Sequence, residues 1–292
     1  MNVLIVGPGC GVPIPPIGWG GIEKVAWKHC EYLRENGHIV IIYNDRNRES
    51  FLNLIKNNQF DIIHVHEDWA NDVLSSQNIP YVFTSHSGGW AFGWHIVEPV
   101  CQKAPFAALF TGMYNKTVRE NKFEIWNGAD SKYFFPEEKE KNMCLAVGLD
   151  QPRKKFDLIV DLIKDKKDFK LYIIGPGTER LKISDNIFTM PNLPEEELAS
   201  YFRRSEYFFH LAEAEADALV VREAAMAGCK MILSDYCAQT VGKEISWTDV
   251  NNFELCPDNL GELAHKMAKE NFTWEKVGER LVEIYNEVLK RR

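Results

Sequence analysis

Eleven short apolar runs, each closed by glycine, proline or polar residues, alternate along this chain with segments of helical period. The first series comprises Asn2–Val6, His38–Tyr43, Asp61–Val65, Pro80–Thr84, Ala107–Phe110 and Phe123–Trp126. The second comprises Cys144–Val147, Phe169–Ile174, Ile187–Met190, Tyr207–His210 and Met231–Ser234. Runs that are apolar throughout, without alternating polar positions, read as strands buried on both faces. Between them, Ile22 to Asn36 carries Val25, Ala26, His29 and Leu33 three or four residues apart, with Gly37 as its C-terminal stop. Strand and helix in succession imply parallel sheets covered on both faces, because parallel neighbours are joined only by a crossover.

The polar, proline-containing stretch Phe135 to Asn142 separates the two series and has the composition of an exposed linker. With 292 residues, 45% of them apolar, the chain is long enough for two cores. The expected organisation is a first α/β domain over 1–138 and a second over 139–273. A C-terminal helix follows over 274–292, with Val277, Leu281, Ile284, Tyr285, Val288 and Leu289 on one stripe. That stripe is expected to pack on the protein's own body, because Glu279, Glu283 and Glu287 make its polar face too acidic for strong lipid attraction.

A formal charge of −8 argues against nucleic acid or an anionic membrane as a partner, since both attract cationic surfaces. The seven cysteines are odd in number and contain no C-x-x-C pair, which suggests neither a zinc ribbon nor a disulfide framework. No apolar stretch reaches the length of a signal-peptide core or a membrane span. A cytoplasmic protein is expected.

Several motifs fall at strand ends, where open α/β sheets bind ligands. Gly7-Pro8-Gly9-Cys10-Gly11 follows the first strand, but Pro13, Pro15 and Pro16 prevent a helix from starting there, so the dinucleotide fingerprint fails. Gly20-Gly21 at the following helix start is a better anion site, because small residues there expose backbone N–H groups. His64, His66 and His86 close two strands; they either line a polar cleft or converge on a metal, and the cleft reading is preferred. Glu213, Glu215 and Asp217 could hold a divalent ion. The fitting alternative is a loop glutamate as hydroxyl acceptor, a phosphate cradle at the N-terminus of the helix that follows, and a second acceptor, Glu223, just over one turn into that helix. Arg153-Lys154-Lys155 is either a solvated run or a phosphate contact, and Gly175-Pro176-Gly177 either a turn or a place where backbone approaches a ligand.

Taken together these fragments resemble family-four retaining glycosyltransferases of the two-Rossmann-domain (GT-B) class. Pro16-x-x-Trp19-Gly20-Gly21-Ile22-Glu23, Gly37-His38-x-Val40, Asp61-Ile-Ile-His64-Val-His66, Ile79-Pro80 through His86, and Trp126-Asn127-Gly128-Ala129-Asp130 match in order. In the second half, Val147-Gly148 with Lys154, Gly175-Pro-Gly177, and Glu215-x7-Glu223-Ala224-Ala225-Met226-Ala227-Gly228 continue the match. Leu149 stands where the family has an arginine, leaving Arg153 or Lys154 to meet the diphosphate. Ala216-Asp217-Ala218 replaces Gly-Phe-Gly, which would add a carboxylate beside the donor sugar.

The resemblance implies two Rossmann-like domains facing across a cleft, donor held by the second and acceptor by the first. The implied reaction moves a sugar from a nucleoside-diphosphate-sugar to a hydroxyl of a glycan or other acceptor, with retention and without a metal or other cofactor. Glu223 would accept from the ribose, and Glu215 from the sugar. Lys154, Arg153, the amides of Ala218, Leu219, Val220 and Gly21, and the turns at Gly20, Gly175 and Gly177 would meet the diphosphate. His86 would lie by the anomeric carbon or the sugar's distal hydroxyl, giving a catalytic set of His86, Lys154 and Glu215. A nucleotide-sugar 2-epimerase and a non-catalytic donor-binding module of the same fold are the alternatives.

Overall fold

The computed structural model describes residues 1–17, 20–76, 80–86 and 94–291. Gly18, Trp19 and Ile79 of the motifs above lie outside the described residues. The chain divides into two compact units, Met1–Asn127 with Trp274–Arg292, and Gly128–Thr273.

The first unit runs β1 (Asn2–Val6), α1 (Gly21–Glu35), β2 (Ile39–Tyr43), α2 (Arg48–Asn57), β3 (Ile62–Val65), α3 (Asp68–Ser75), β4 (Val82–Phe83), α4 (Trp94–Lys103), β5 (Phe106–Phe110), α5 (Thr111–Lys116) and β6 (Lys122–Ile125). Its sheet has the order β2-β1-β3-β4-β5-β6 with parallel pairings throughout. Val3, Leu4, Ile5 and Val6 are fully buried, as a central strand covered on both faces must be. The chain leaves β1 to one side for β2 and returns to the other for β3, so the topological switch point lies between β1 and β3.

The second unit runs β7 (Glu140–Val147), α6 (Phe156–Ile163), β8 (Lys170–Ile174), β9 (Ile187–Met190), α7 (Glu195–Arg204), β10 (Ser205–His210), α8 (Leu219–Met226), β11 (Lys230–Leu233), α9 (Asp235–Val241) and α10 (Leu260–Asn271). Its order is β11-β10-β7-β8-β9, again parallel, with the switch point between β7 and β10. Each of the eleven apolar runs is a strand, within two or three residues at most ends, apart from β4, which keeps only Val82–Phe83 of Pro80–Thr84, and β7, which begins earlier, at Glu140.

The domain boundary at 138 needs correction. The second unit begins at Gly128, and the stretch read as an exposed linker is anchored to it. Phe134, immediately before that stretch, is fully buried in that unit's core against Phe202. The Lys139 ammonium donates to the carbonyls of Arg203 and Ala227 at 2.8 and 2.7 Å. A polar composition hid these contacts because the lysine caps helix-end carbonyls instead of facing water.

The last helix, α11 (Trp274–Lys290), belongs to the first unit and buries Val277, Leu281, Ile284, Tyr285 and Val288. Each such side chain adds roughly 1.5–3 kcal/mol of burial free energy. Gly278 is what lets α11 lie against α1: a Cβ there would fall 2.1 Å from the Tyr32 ring. All seven cysteines are free thiols. Among the described residues, no helix is long and apolar enough to cross a membrane.

Candidate functional site

At the β7/β10 switch point, two loops leave adjacent strand ends and are tied by a backbone bond from Glu213 N–H to Arg153 O at 3.0 Å. The β7 loop turns through a short 3-10 segment, Pro152–Lys154, and enters α6 through Lys155 in the left-handed region, φ 56°. That turn aims Lys154 inward. The side chain is buried over Gly148, its Cε and Nζ about where a Cβ on Gly148 would make contact.

The Lys154 ammonium donates to Glu215 Oε1. Arg153 Nη1 donates to the same oxygen at 2.9 Å and to Ala214 O at 3.1 Å. His210, the last residue of β10, places Nε2 3.4 Å from that oxygen, at the outer edge of hydrogen-bonding distance. Tyr236 on α9 donates to the Glu215 carbonyl at 3.0 Å, fixing the backbone that carries the carboxylate.

Burial by itself would raise the Glu215 pKa, but the His210 contact and the Lys154 charge outweigh it and hold the carboxyl well below its ordinary value. Burial lowers the Lys154 pKa, with Glu215 pulling it back. Burial also lowers that of His210, and the Lys154 charge adds to the effect. The cluster is therefore two cations on one ionised carboxylate beside a neutral imidazole, with one cation in excess.

The rest of the predicted set lies close in the topology. Gly175, at the end of β8 with φ 148°, approaches so near that a Cβ would stand 2.0 Å from Gly148 O; only glycine permits this crossing of the two loops. Gly177, φ 80°, opens the 3-10 turn Thr178–Leu181. Ala218 caps α8 without a side-chain bond, so the first-turn N–H groups of Leu219 and Val220 have no partner within the helix. Glu223 sits just over one turn in and is buried.

The cation run is thus not a uniform solvated face. Lys154 is buried, whereas Lys155 pairs with exposed Glu213 at 2.6 Å. Asp217, the carboxylate expected beside the donor sugar, is buried against Arg222 at 3.0 Å, and that guanidinium lies 3.7 Å over the Phe272 ring and donates to Thr240 O. Glu213, Glu215 and Asp217 each face a different cation: Lys155, Lys154 with Arg153, and Arg222. His210, Tyr236 and Arg222 were not singled out in the sequence. A histidine ending a buried strand was the one available signal, and Tyr236 and Arg222 gave none.

In the first unit, Gly20 (φ 140°) precedes α1 and Gly21 begins it. The Glu23 carboxylate folds back toward them, 3.1 Å from where a Gly20 Cβ would be, and burial raises its pKa. The acid therefore lies beside the helix start read as an anion site. His86 follows β4, with Nε2 3.0 Å from His66 Nδ1 and its ring edge-on to Phe110.

Two parallel-sheet α/β units with these strand orders match solved structures of the GT-B class of fold. Residues 129–242, most of the second unit, match the family model for glycosyl transferases group 1. Sucrose-phosphate synthase from Thermosynechococcus elongatus is similar over 100% of both chains, at TM-score 0.82 and 15% identity. HepE of Anabaena, solved in complex with UDP-glucose, is similar over 98% of this chain and 100% of its own, at TM-score 0.74 and 12% identity. In sequence, an uncharacterized glycosyltransferase of Methanocaldococcus jannaschii is 22% identical over 282 positions, spanning 81% of this chain and 78% of that protein. These likenesses establish the fold and, with the family match, support glycosyl transfer.

Proposed function

We propose that the chain is a retaining glycosyltransferase that moves a sugar from a nucleoside-diphosphate-sugar to a hydroxyl of a glycan or other acceptor, with no metal or further cofactor at the donor site. The observation that carries this reading is the Arg153–Lys154–Glu215 cluster at the β7/β10 switch point, next to the α8 N-terminus. An excess cation and unpaired helix amides at one strand end suit a dianionic diphosphate.

In this reading Glu215 holds both cations in place until the donor arrives. The diphosphate then takes over Lys154 and Arg153, and the released, still ionised Glu215 accepts hydrogen bonds from the sugar. Glu223 accepts from the ribose. The amides of Ala218, Leu219 and Val220 reach the phosphates, and Gly175 and Gly177 keep the neighbouring loop free of side chains. For His86, Gly20 and Gly21 the roles implied by the resemblance are retained. As the sugar departs, negative charge grows on the leaving phosphate. Preorganised Lys154, Arg153 and amides stabilise it more than they stabilise the bound donor, which is what accelerates the step. Same-face attack, with the leaving phosphate oxygen taking the acceptor proton, gives retention.

The HepE structure makes UDP-glucose the first donor to try. A thermal-shift screen over nucleoside diphosphates and their sugars should show one base preferred. A product assay with hydroxyl acceptors should then give a glycoside of the donor's own anomeric configuration. Donor consumption without a glycoside would favour an epimerase or hydrolase, and binding without turnover a binding module; either would overturn the reading.

A further inference from the structure

Away from the donor cluster, histidines gather inside the first unit. His29 projects from α1, His64 from β3, and His66, two residues after His64 and just past the end of β3, lies on the same face of the sheet. The His64 and His66 ring centroids are 4.3 Å apart, with His29 5.8 Å from the first and 5.3 Å from the second. One nitrogen from each ring lies within 4.8 Å of the other two, and all three residues are buried. Among the described residues this is the group of metal-ligating side chains that converges in this way.

Two of the nitrogens have no use in the fold. His29 Nδ1 and His66 Nε2 are buried without a hydrogen-bond partner. Leaving a buried polar atom unpaired costs about 1–3 kcal/mol, so native structures rarely keep two in one place without an ion or water to satisfy them. The surroundings, by contrast, are arranged to orient the rings. His64 Nδ1 is 2.8 Å from Tyr285 Oη, and its Nε2 is 2.8 Å from Thr84 Oγ1. His66 Nδ1 engages His86 Nε2 at 3.0 Å, which leaves Nε2 as its buried, unpartnered nitrogen.

We propose that His29, His64 and His66 form a binding site for a divalent metal of the zinc type, tying α1 to the end of β3. A donor set of imidazole nitrogens alone suits zinc and its transition-metal neighbours and does not suit magnesium or calcium, which take oxygen. Burial keeps all three imidazoles in the neutral, ligating form, with His29 brought down to about 3 and the other two also lowered, so protons do not compete near neutrality. His64 exchanges one of its two hydroxyl bonds for the metal, and the other keeps its ring oriented, as outer partners do in metal sites. His66 ligates through Nε2 while His86 holds Nδ1. Three protein ligands leave a fourth position for water. The site stands in the first unit and meets the donor reading only at His86, which contacts His66, and its readout is metal binding, not transfer.

The test uses the full chain with Cys10→Ser and His95→Ala, which remove two exposed ligands that would bind zinc adventitiously. Calorimetry with Zn2+ should show one equivalent bound. His29→Leu and His66→Gln should each weaken it at least a hundredfold while the circular dichroism is kept. Zinc should raise the thermal midpoint of the parent by several degrees and leave that of the variants unmoved. Zinc-edge X-ray absorption on the parent reads the ligands directly, so the outcome does not depend on either variant folding. An imidazole-dominated first shell supports the site. No stoichiometric binding, a sulfur or oxygen shell, or equal affinity in both variants overturns it.

Discussion

Replacing Glu215 by glutamine tests the donor cluster most sharply, because the structure predicts changes of opposite sign in two binding measurements. The carboxylate serves Lys154 and Arg153 with one oxygen, at 2.9 Å from Arg153 Nη1. At an effective dielectric of 20, each such contact has a gross attraction of about 6 kcal/mol, much of it offset by desolvation. Removing one partner of a buried pair costs roughly 3–5 kcal/mol. The amide keeps one acceptor, and Arg153 keeps Ala214 O and Gln151. The net loss should therefore be about 2–3 kcal/mol, which lowers the thermal midpoint by about 5–10 °C. The two cations are then freed for phosphate. In the wild type a diphosphate must first displace Glu215; in Glu215→Gln that step is absent, and the bare nucleoside diphosphate should bind about fivefold to thirtyfold tighter, from 1–2 kcal/mol. The intact nucleotide-sugar loses a charge-assisted hydroxyl acceptor, and its kcat/KM should fall by about 1.5–3 kcal/mol, tenfold or more. Calorimetry with the diphosphate and kinetics with the donor read the two effects. A parallel fall in affinity for the bare diphosphate, or an unchanged midpoint, would refute the exchange of partners.

Lys154→Ala should lower kcat/KM by about 2–4 kcal/mol with the circular dichroism unchanged, as loss of one preorganised charge predicts; wild-type turnover would assign the phosphate contact to Arg153 alone. Glu223→Gln should weaken the bare nucleotide tenfold to a hundredfold by calorimetry, since a ribose contact is made before and during reaction alike. A chelator should leave nucleotide affinity at the second unit unchanged; restoration of lost affinity by magnesium or manganese would return the acidic loop to consideration as a metal site. Acidification should destabilise the first unit. Unfolded His29 takes up its proton near 6.5 and folded His29 only near 3, so stability is full above pH 6.5 and falls below it. At pH 5 the metal-free protein should lose about 2 kcal/mol from this residue, at 1.36 kcal/mol per pH unit, and thermal melts of His29→Leu should show a flatter pH dependence.

How much was legible follows from the range of each interaction. The strands could be read because a strand buried on both faces must be apolar throughout, a rule that acts residue by residue along the chain. Gly37, φ 78°, was legible as the end of α1 for the same local reason. Gly175 was visible as a glycine of interest, yet its purpose, passing the Gly148 carbonyl, depends on a loop that follows another strand. Composition did not reveal how the 135–142 stretch is held, because Lys139 finds its partners near residues 202 and 227. Motif order placed Lys154, Glu215 and Glu223 in one site. It did not indicate that Lys154 and Glu215 meet, nor that His210 ends beside them.

The sequence by itself determined the α/β alternation, the number of strands, and which loops carry charged residues at strand carboxyl ends, because periodicity and turn chemistry are local. The tertiary structure alone decided strand order, and with it the two switch points. It also decided that Asp217 pairs with Arg222, and that His29 on a helix joins His64 and His66 from a strand. These are contacts between residues far apart in sequence, where no local pattern records the partner, and only the packing of helices on a sheet brings such side chains within reach of one another.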